Sequence, residues 1–109
     1  MPTEYRIREN KLEKRWRESV KKLGCEPLKF ASYYSTGWPD RFTLSPWGVL
    51  YLAEIKRPGE EVVPGSKQEK RIEKARRMGF TVFVINSVES MEAALTHLKI
   101  AKSLYADKI

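Results

Sequence analysis

Three side chains in this sequence could do chemistry together: Asp40, Glu54 and Lys56. Asp40 opens one strand of an expected hairpin. Glu54 and Lys56 lie two positions apart on the next strand, so their side chains share a face. That strand, residues 49–56, reads Val-Leu-Tyr-Leu-Ala-Glu-Ile-Lys and is apolar enough to lie inside a sheet. Two charged groups on one face at its end are costly unless something compensates them. A divalent cation between Asp40 and Glu54 would do so, and an all-oxygen donor set suits Mg²⁺ or Mn²⁺, which keep several waters and bridge to phosphate. The chemistry expected of such a site is hydrolysis of a phosphodiester, with Lys56 beside the attacking water and the scissile phosphate. Each motif alone has a plainer explanation. Glu-x-Lys at a strand end is often a cross-strand ion-pair cluster, and Pro-Asp before a hairpin is often turn chemistry. Their combination at this spacing points to a site.

The elements that must position these residues can be read from the pattern around them. Leu12, Trp16, Val20 and Leu23 recur at helical spacing, predicting a helix over 7–23 that Gly24 ends. The aromatic-rich stretch 28–34 predicts a strand. Residues 35–39 form a loop with Gly37 and Pro39 as breakers, and 40–44 a second strand. Ser45-Pro46-Trp47-Gly48 reads as the hairpin turn, 49–56 as the third strand, and Pro58-Gly59 as its end. Ser66 can cap a helix running to about Met78, with Glu69 at the capping-box position. Residues 81–85 are β-branched and apolar, predicting a buried strand. Ser87 or Ser90 opens a last helix, with Met91, Ala94, Leu95, Leu98 and Leu104 as its apolar positions. The expected class is α/β, order α-β-β-β-α-β-α, with a central mixed sheet flanked by helices. Residues 1–109 are expected to form a single domain.

Composition narrows the partner. Twenty-one Lys and Arg against fourteen Asp and Glu give a net charge of +7, which suits a polyanion, nucleic acid first. The single cysteine, Cys25, allows no disulfide within the chain and no Cys-based zinc site. No apolar run reaches the length of a membrane span, and the N-terminus lacks the apolar stretch of a signal peptide. A cytoplasmic protein with no membrane partner is expected.

The motifs together resemble a known family. Gly37-Trp38-Pro39-Asp40-Arg41, then Ala53-Glu54-Ile55-Lys56-Arg57-Pro58-Gly59, then Ser66-Lys67-Gln68 look like the VRR-NUC family of the PD-(D/E)-x-K, restriction-endonuclease-like superfamily. Lys21-Lys22-Leu23-Gly24 and the segment 78–84 extend the likeness over roughly residues 9–90. The resemblance implies a restriction-endonuclease-like core and an Mg²⁺- or Mn²⁺-dependent endonuclease that cuts DNA, with branched or four-way junction structures favoured and a homodimer expected. Asp40 and Glu54 match the metal-binding carboxylates, the carbonyl of Ile55 a further metal ligand, Lys56 the catalytic lysine, and Gln68 a glutamine reaching in from the helix. An acidic residue on the first helix completes the family's metal site. Glu13 best occupies that position, bordering the apolar stripe beside Leu12 and Trp16. Glu9 lies one turn earlier, and Glu18 points elsewhere. A free-standing nuclease of this size also looks like a phage or mobile-element product acting in a host cytoplasm.

Basic residues around the motifs, Arg41, Arg57, Lys67, Lys70, Arg71 and Lys74, are candidates for nucleic-acid contacts, mostly to phosphate. Lys11, Lys14, Arg15 and Arg17 on the first helix offer the same. Trp38 and Trp47 flank the hairpin and suit either base stacking or packing. Tyr33, Tyr34 and Ser35 could line a groove, and Tyr33, Tyr34 or Trp47 could supply an apolar face for a partner copy. His97 reads as a surface residue and Cys25 as structural. The competing class is a catalytically silent nucleic-acid-binding module of the same fold. The joint presence of Asp40, Glu54, Lys56 and Gln68 argues against it.

Overall fold

The computed structural model describes residues 2–30 and 36–108, with side chains described for 11–30 and 36–107. Helix α1 spans Pro2–Lys22, β1 Glu26–Lys29, β2 Arg41–Leu44, β3 Leu50–Ile55, α2 Lys67–Arg77, β4 Thr81–Ile85 and α3 Val88–Leu104, before a short 3₁₀ turn at Ala106–Lys108. The order is the expected α-β-β-β-α-β-α. Among the described residues the strands form one mixed sheet in the order β1-β2-β3-β4, with β1, β2 and β3 antiparallel and β4 parallel to β3. This is the restriction-endonuclease-like α/β arrangement.

One face of the sheet carries the larger core. Leu12, Trp16 and Val20 recur every fourth residue on α1 and bury one stripe. They pack with Tyr51 and Ala53 of β3, Ile85 of β4, and Met91, Leu95 and Leu98 of α3. Cys25 is buried here as a structural residue. Each large side chain so buried contributes about 1.5–3 kcal/mol. The other face carries a smaller cluster, in which Ile72 and Ala75 of α2 meet Leu52 and Val82, flanked by Trp38, Phe42, Leu50, Val62 and Val84. α2 packs chiefly on β4.

Local signals explain most boundaries. α1 ends in paired bonds, Gly24 N–H to Lys21 C=O at 2.9 Å and Cys25 N–H to Val20 C=O at 3.0 Å. Gly24 is at φ +85°, the left-handed conformation this C-cap requires. Ser66 caps α2 by accepting from Glu69 N–H. The reciprocal bond goes from Gly65 N–H to Glu69 Oε1 rather than from the cap residue itself. α3 settles the choice between two serines by using both: Ser87 is the N-cap and Ser90 closes the capping box.

Several expectations are corrected. α1 begins at Pro2, not Ile7, because the polar, charged 2–6 segment continues the helix without an apolar stripe to announce it. β1 occupies Glu26–Lys29 rather than 28–34, and residues 31–35, with Tyr33, Tyr34 and Ser35, lie outside the described residues. The expected strand 81–85 is found as β4 with the same bounds, at the sheet edge and with Val82 and Ile85 buried. Leu104, expected among the apolar positions of the last helix, is 73% exposed.

Candidate active site

The site is built on the β2–β3 hairpin. Its turn is closed by Ser45, whose hydroxyl donates to Val49 C=O at 2.8 Å and accepts from Val49 N–H at 2.9 Å. The register Arg41↔Ala53 and Phe42↔Leu52 continues to place Asp40 directly opposite Glu54. Directly opposed residues of an antiparallel pair point to the same side. Asp40 and Glu54 therefore share the α2 face with Phe42 and Leu52. Arg41 and Ala53 take the α1 face.

Glu54 feels this arrangement strongly. Its pKa is pushed up to about 7, first by burial and then by the negative charge of Asp40. Lys56, a hydrogen bond from the Gln68 side chain, and Arg41 pull the other way without cancelling the rise. Asp40, Glu54, Lys56 and Gln68 are thus brought together. Lys56 is mostly covered and pairs with Glu60 Oε1 at 3.4 Å, and its N–H donates to Ile85 C=O at 2.8 Å. Ile55 occupies the last position of β3, between Glu54 and Lys56.

Gln68 reaches the site because the 36–39 loop and the start of α2 are nearly in contact. Gly37 is at φ +88°, and a Cβ there would meet Lys67 Cγ at 3.0 Å and the Gln68 backbone nitrogen at 3.2 Å. Glycine is needed on both counts, for the backbone conformation and for the approach. The Gly-x-Pro-Asp segment thereby fixes α2 relative to Asp40.

Glu13 is placed differently from the expectation. Its carboxylate pairs with Arg41 Nη2 at 2.9 Å and Arg17 Nε at 3.8 Å. Because Arg41 follows Asp40 on an alternating strand, this pair lies on the α1 side of the sheet. Among the described residues no three His, Cys, Asp or Glu gather closely enough to hold a metal ion, so Glu13 is not assembled with Asp40 and Glu54. The side chain of Glu9 lies outside the described residues, and Glu18 is exposed.

Other candidates sort by exposure. Lys67, Lys70 and Lys74 are exposed on α2, as is Arg57 after β3. Arg71 is half-buried, its guanidinium 4.8 Å from the centre of the Trp38 ring. Arg41 is largely occupied with Glu13, on the opposite face of the sheet from Asp40. Trp47 is a packing residue: it is buried and its indole N–H donates to the Tyr51 hydroxyl at 2.9 Å. It offers no apolar face to a partner. His97 is exposed on α3, its ring edge-on to Phe83 and Tyr51. No helix among the described residues is long and apolar enough to cross a membrane.

The donor set at Asp40 and Glu54 fits a divalent cation. Two opposed carboxylates share a half-buried position, and the surrounding cations leave Glu54 still favouring its proton. A hard cation with oxygen ligands would relieve that repulsion.

Known proteins agree with this architecture. No family model matches the chain. A solved structure described as a "VRR_NUC domain" superposes with a TM-score of 0.74 at 28% identity, covering 83% of this chain and 96% of that one. A curated relative, "Putative nuclease p44" of Acyrthosiphon pisum secondary endosymbiont phage 1, is 35% identical over 81 residues, 74% of this chain and 85% of its own length. With its hairpin carboxylates, Glu-x-Lys strand and helix-borne glutamine on this fold, the chain belongs to the VRR-NUC nuclease family.

Proposed function

We propose that the protein is a metal-dependent endonuclease that hydrolyses phosphodiester bonds in DNA and prefers branched structures such as four-way junctions. The observation that carries this reading is the opposition of Asp40 and Glu54 with Gln68 hydrogen-bonded to Glu54 and Lys56 alongside. The family membership and the phage relative named as a nuclease support it.

Asp40, Glu54 and the Ile55 carbonyl would hold Mg²⁺ or Mn²⁺. When bound, the cation supplies an acidified water and charge stabilisation at the phosphate. Gln68 orients the Glu54 carboxylate by its hydrogen bond. Lys56 sets a positive charge at the strand end, where negative charge develops on phosphate oxygens. Lys67, Lys70 and Lys74, with the chain's net charge of +7, would hold the backbone of a polyanion. Cutting both strands of a junction calls for two active sites, so a homodimer is the working assembly in this reading.

The decisive experiment compares cleavage of linear duplex, flap and four-way DNA with Mg²⁺, Mn²⁺ or EDTA. Metal-dependent cutting that is fastest on branched substrates is expected. Cutting that persists undiminished in EDTA would refute the metal assignment, and equal rates on all three substrates would remove the structure preference.

A further inference from the structure

On the α2 side of the sheet the cluster around Ile72 reaches Phe42 of β2, and beyond it β1 and the end of β2 carry exposed apolar side chains. The register Leu28↔Phe42 and the bond from Phe30 N–H to Asp40 C=O at 2.8 Å put Leu28, Phe30, Phe42 and Leu44 on this face with Asp40. Phe30 is 53% and Leu44 45% exposed. The Phe30 and Phe42 rings lie 5.0 Å apart at 42°. Neighbouring apolar side chains exposed together on one face, beside charged groups, are the kind of patch that marks an interaction surface.

The charge pattern says which occupant. α2 turns one flank toward β4, where Arg76 donates to Val82 C=O at 2.8 Å. Its opposite flank meets the loop that feeds β2, through Lys67 on Gly37 and Arg71 on Trp38. Along that flank Lys67, Lys70, Arg71, Lys74 and Arg77 line one groove, with no acidic residue among them. A row of cations therefore borders an aromatic strip, with the paired carboxylates between them at one end. Phosphates on α2 and unstacked bases on the strip match this division, as in single-strand binding sites generally.

We infer that Phe30 is a stacking platform for an unpaired nucleobase next to the phosphate held at Asp40 and Glu54. The inference rests on the nuclease reading for the identity of that phosphate and deepens it. Phe30 lies directly across from Asp40, and facing residues of such a pair are about 5.5 Å apart at Cα. The stacked base thus belongs to a nucleotide adjoining the scissile phosphate. Within a duplex each base is already stacked on its neighbours, so only an unpaired nucleotide offers the ring a free face. Among branched DNAs this narrows the substrate class to those with an unpaired nucleotide at the cut, such as a flap, over a fully paired four-way junction.

The test is fluorescence anisotropy in EDTA, using a labelled 20-nucleotide single strand and the blunt duplex of the same sequence. Phe30→Ala should weaken single-strand binding about tenfold and duplex binding less than twofold. Phe30→Tyr should bind both as the wild type does. Because Phe30 is half-exposed, neither substitution opens the core, and thermal melts check this. Equal loss on both ligands, or no loss on either, would overturn the platform. So would sedimentation showing a wild-type dimer that Phe30→Asp converts to monomer with the single-strand preference unchanged, since a second copy would then cover the strip. Binding is read without cleavage. A wild-type chain that cuts nothing would sink the nuclease reading while the anisotropy ratio still decides this one.

Discussion

The two faces of the sheet differ in kind. On the α1–α3 face, apolar side chains from two helices and two strands close a continuous core from Leu12 to Ala101. On the α2 face, a compact cluster around Ile72 gives way within a few residues to opposed carboxylates, lysines and one exposed phenylalanine, Phe30. The same strands supply both faces by alternation, so Ala53 is fully buried while its neighbour Glu54 lines the site. Stability is concentrated on one side, which frees the other to keep groups that repel each other.

Substitutions on either face should separate these roles. Asp40→Ala is expected to have the largest effect, slowing metal-dependent cleavage at least about a thousandfold, about 4 kcal/mol on the barrier, with melting temperature unchanged or raised. A melt that collapses together with activity would mean Asp40 is structural. Leu98→Ala on the closed face should cost about 3 kcal/mol in urea unfolding, against less than about 1 kcal/mol for Leu44→Ser on the open face. Similar losses at both positions would erase the distinction.

Glu54 sharpens it further through pH. Its folded pKa of about 7 lies above its ordinary 4.5, so the folded chain holds that proton more tightly than the unfolded one. Below pH 4.5 both forms are protonated and nothing is lost. Between 4.5 and about 7 the folded state loses stability as pH rises, and above that the penalty is complete. Glu54→Gln should therefore stabilise the metal-free protein at pH 8 by about 1–2 kcal/mol, after allowance for its partial exposure, and change little at pH 4. Unfolding curves with the same mutant-to-wild-type difference at both pH values would contradict this.

Glu13 tests whether the faces communicate. If its carboxylate swings from Arg41 to complete the metal site, Glu13→Gln should slow cleavage about tenfold, about 1.4 kcal/mol, and weaken Mn²⁺ binding. Unchanged cleavage and Mn²⁺ affinity would leave Glu13 a tie between α1 and β2 and make Glu9 the residue to examine.

How far the sequence could be read follows the same division. The hairpin, the Glu-x-Lys strand and β4 were legible because period-two alternation and turn residues are local signals, and so was the stripe of α1. The pairing of Arg41 with Glu13 was not, since it depends on which sheet face α1 covers. Arg41 and Arg71 look alike in a list of basic residues, yet one is engaged by a carboxylate and the other rests on Trp38. Trp47 reads equally as a stacking or a packing residue in the sequence, and only the Tyr51 hydroxyl that accepts from its indole N–H makes it a packing one. Helix starts such as Pro2 escaped because a polar first turn carries no periodicity.

The near-contact of Gly37 with the start of α2 also bears on the order in which the chain folds. Asp40 and Glu54 can meet as soon as the hairpin closes, a local event of about microseconds. Gln68 joins them only when the crossover through α2 has laid β4 parallel to β3, and such non-local pairing is slow. The site is therefore completed late, by one packed glycine. A bulkier residue at Gly37 should leave the hairpin able to form but hinder the helix from docking, giving a slow refolding phase seen by Trp38 fluorescence.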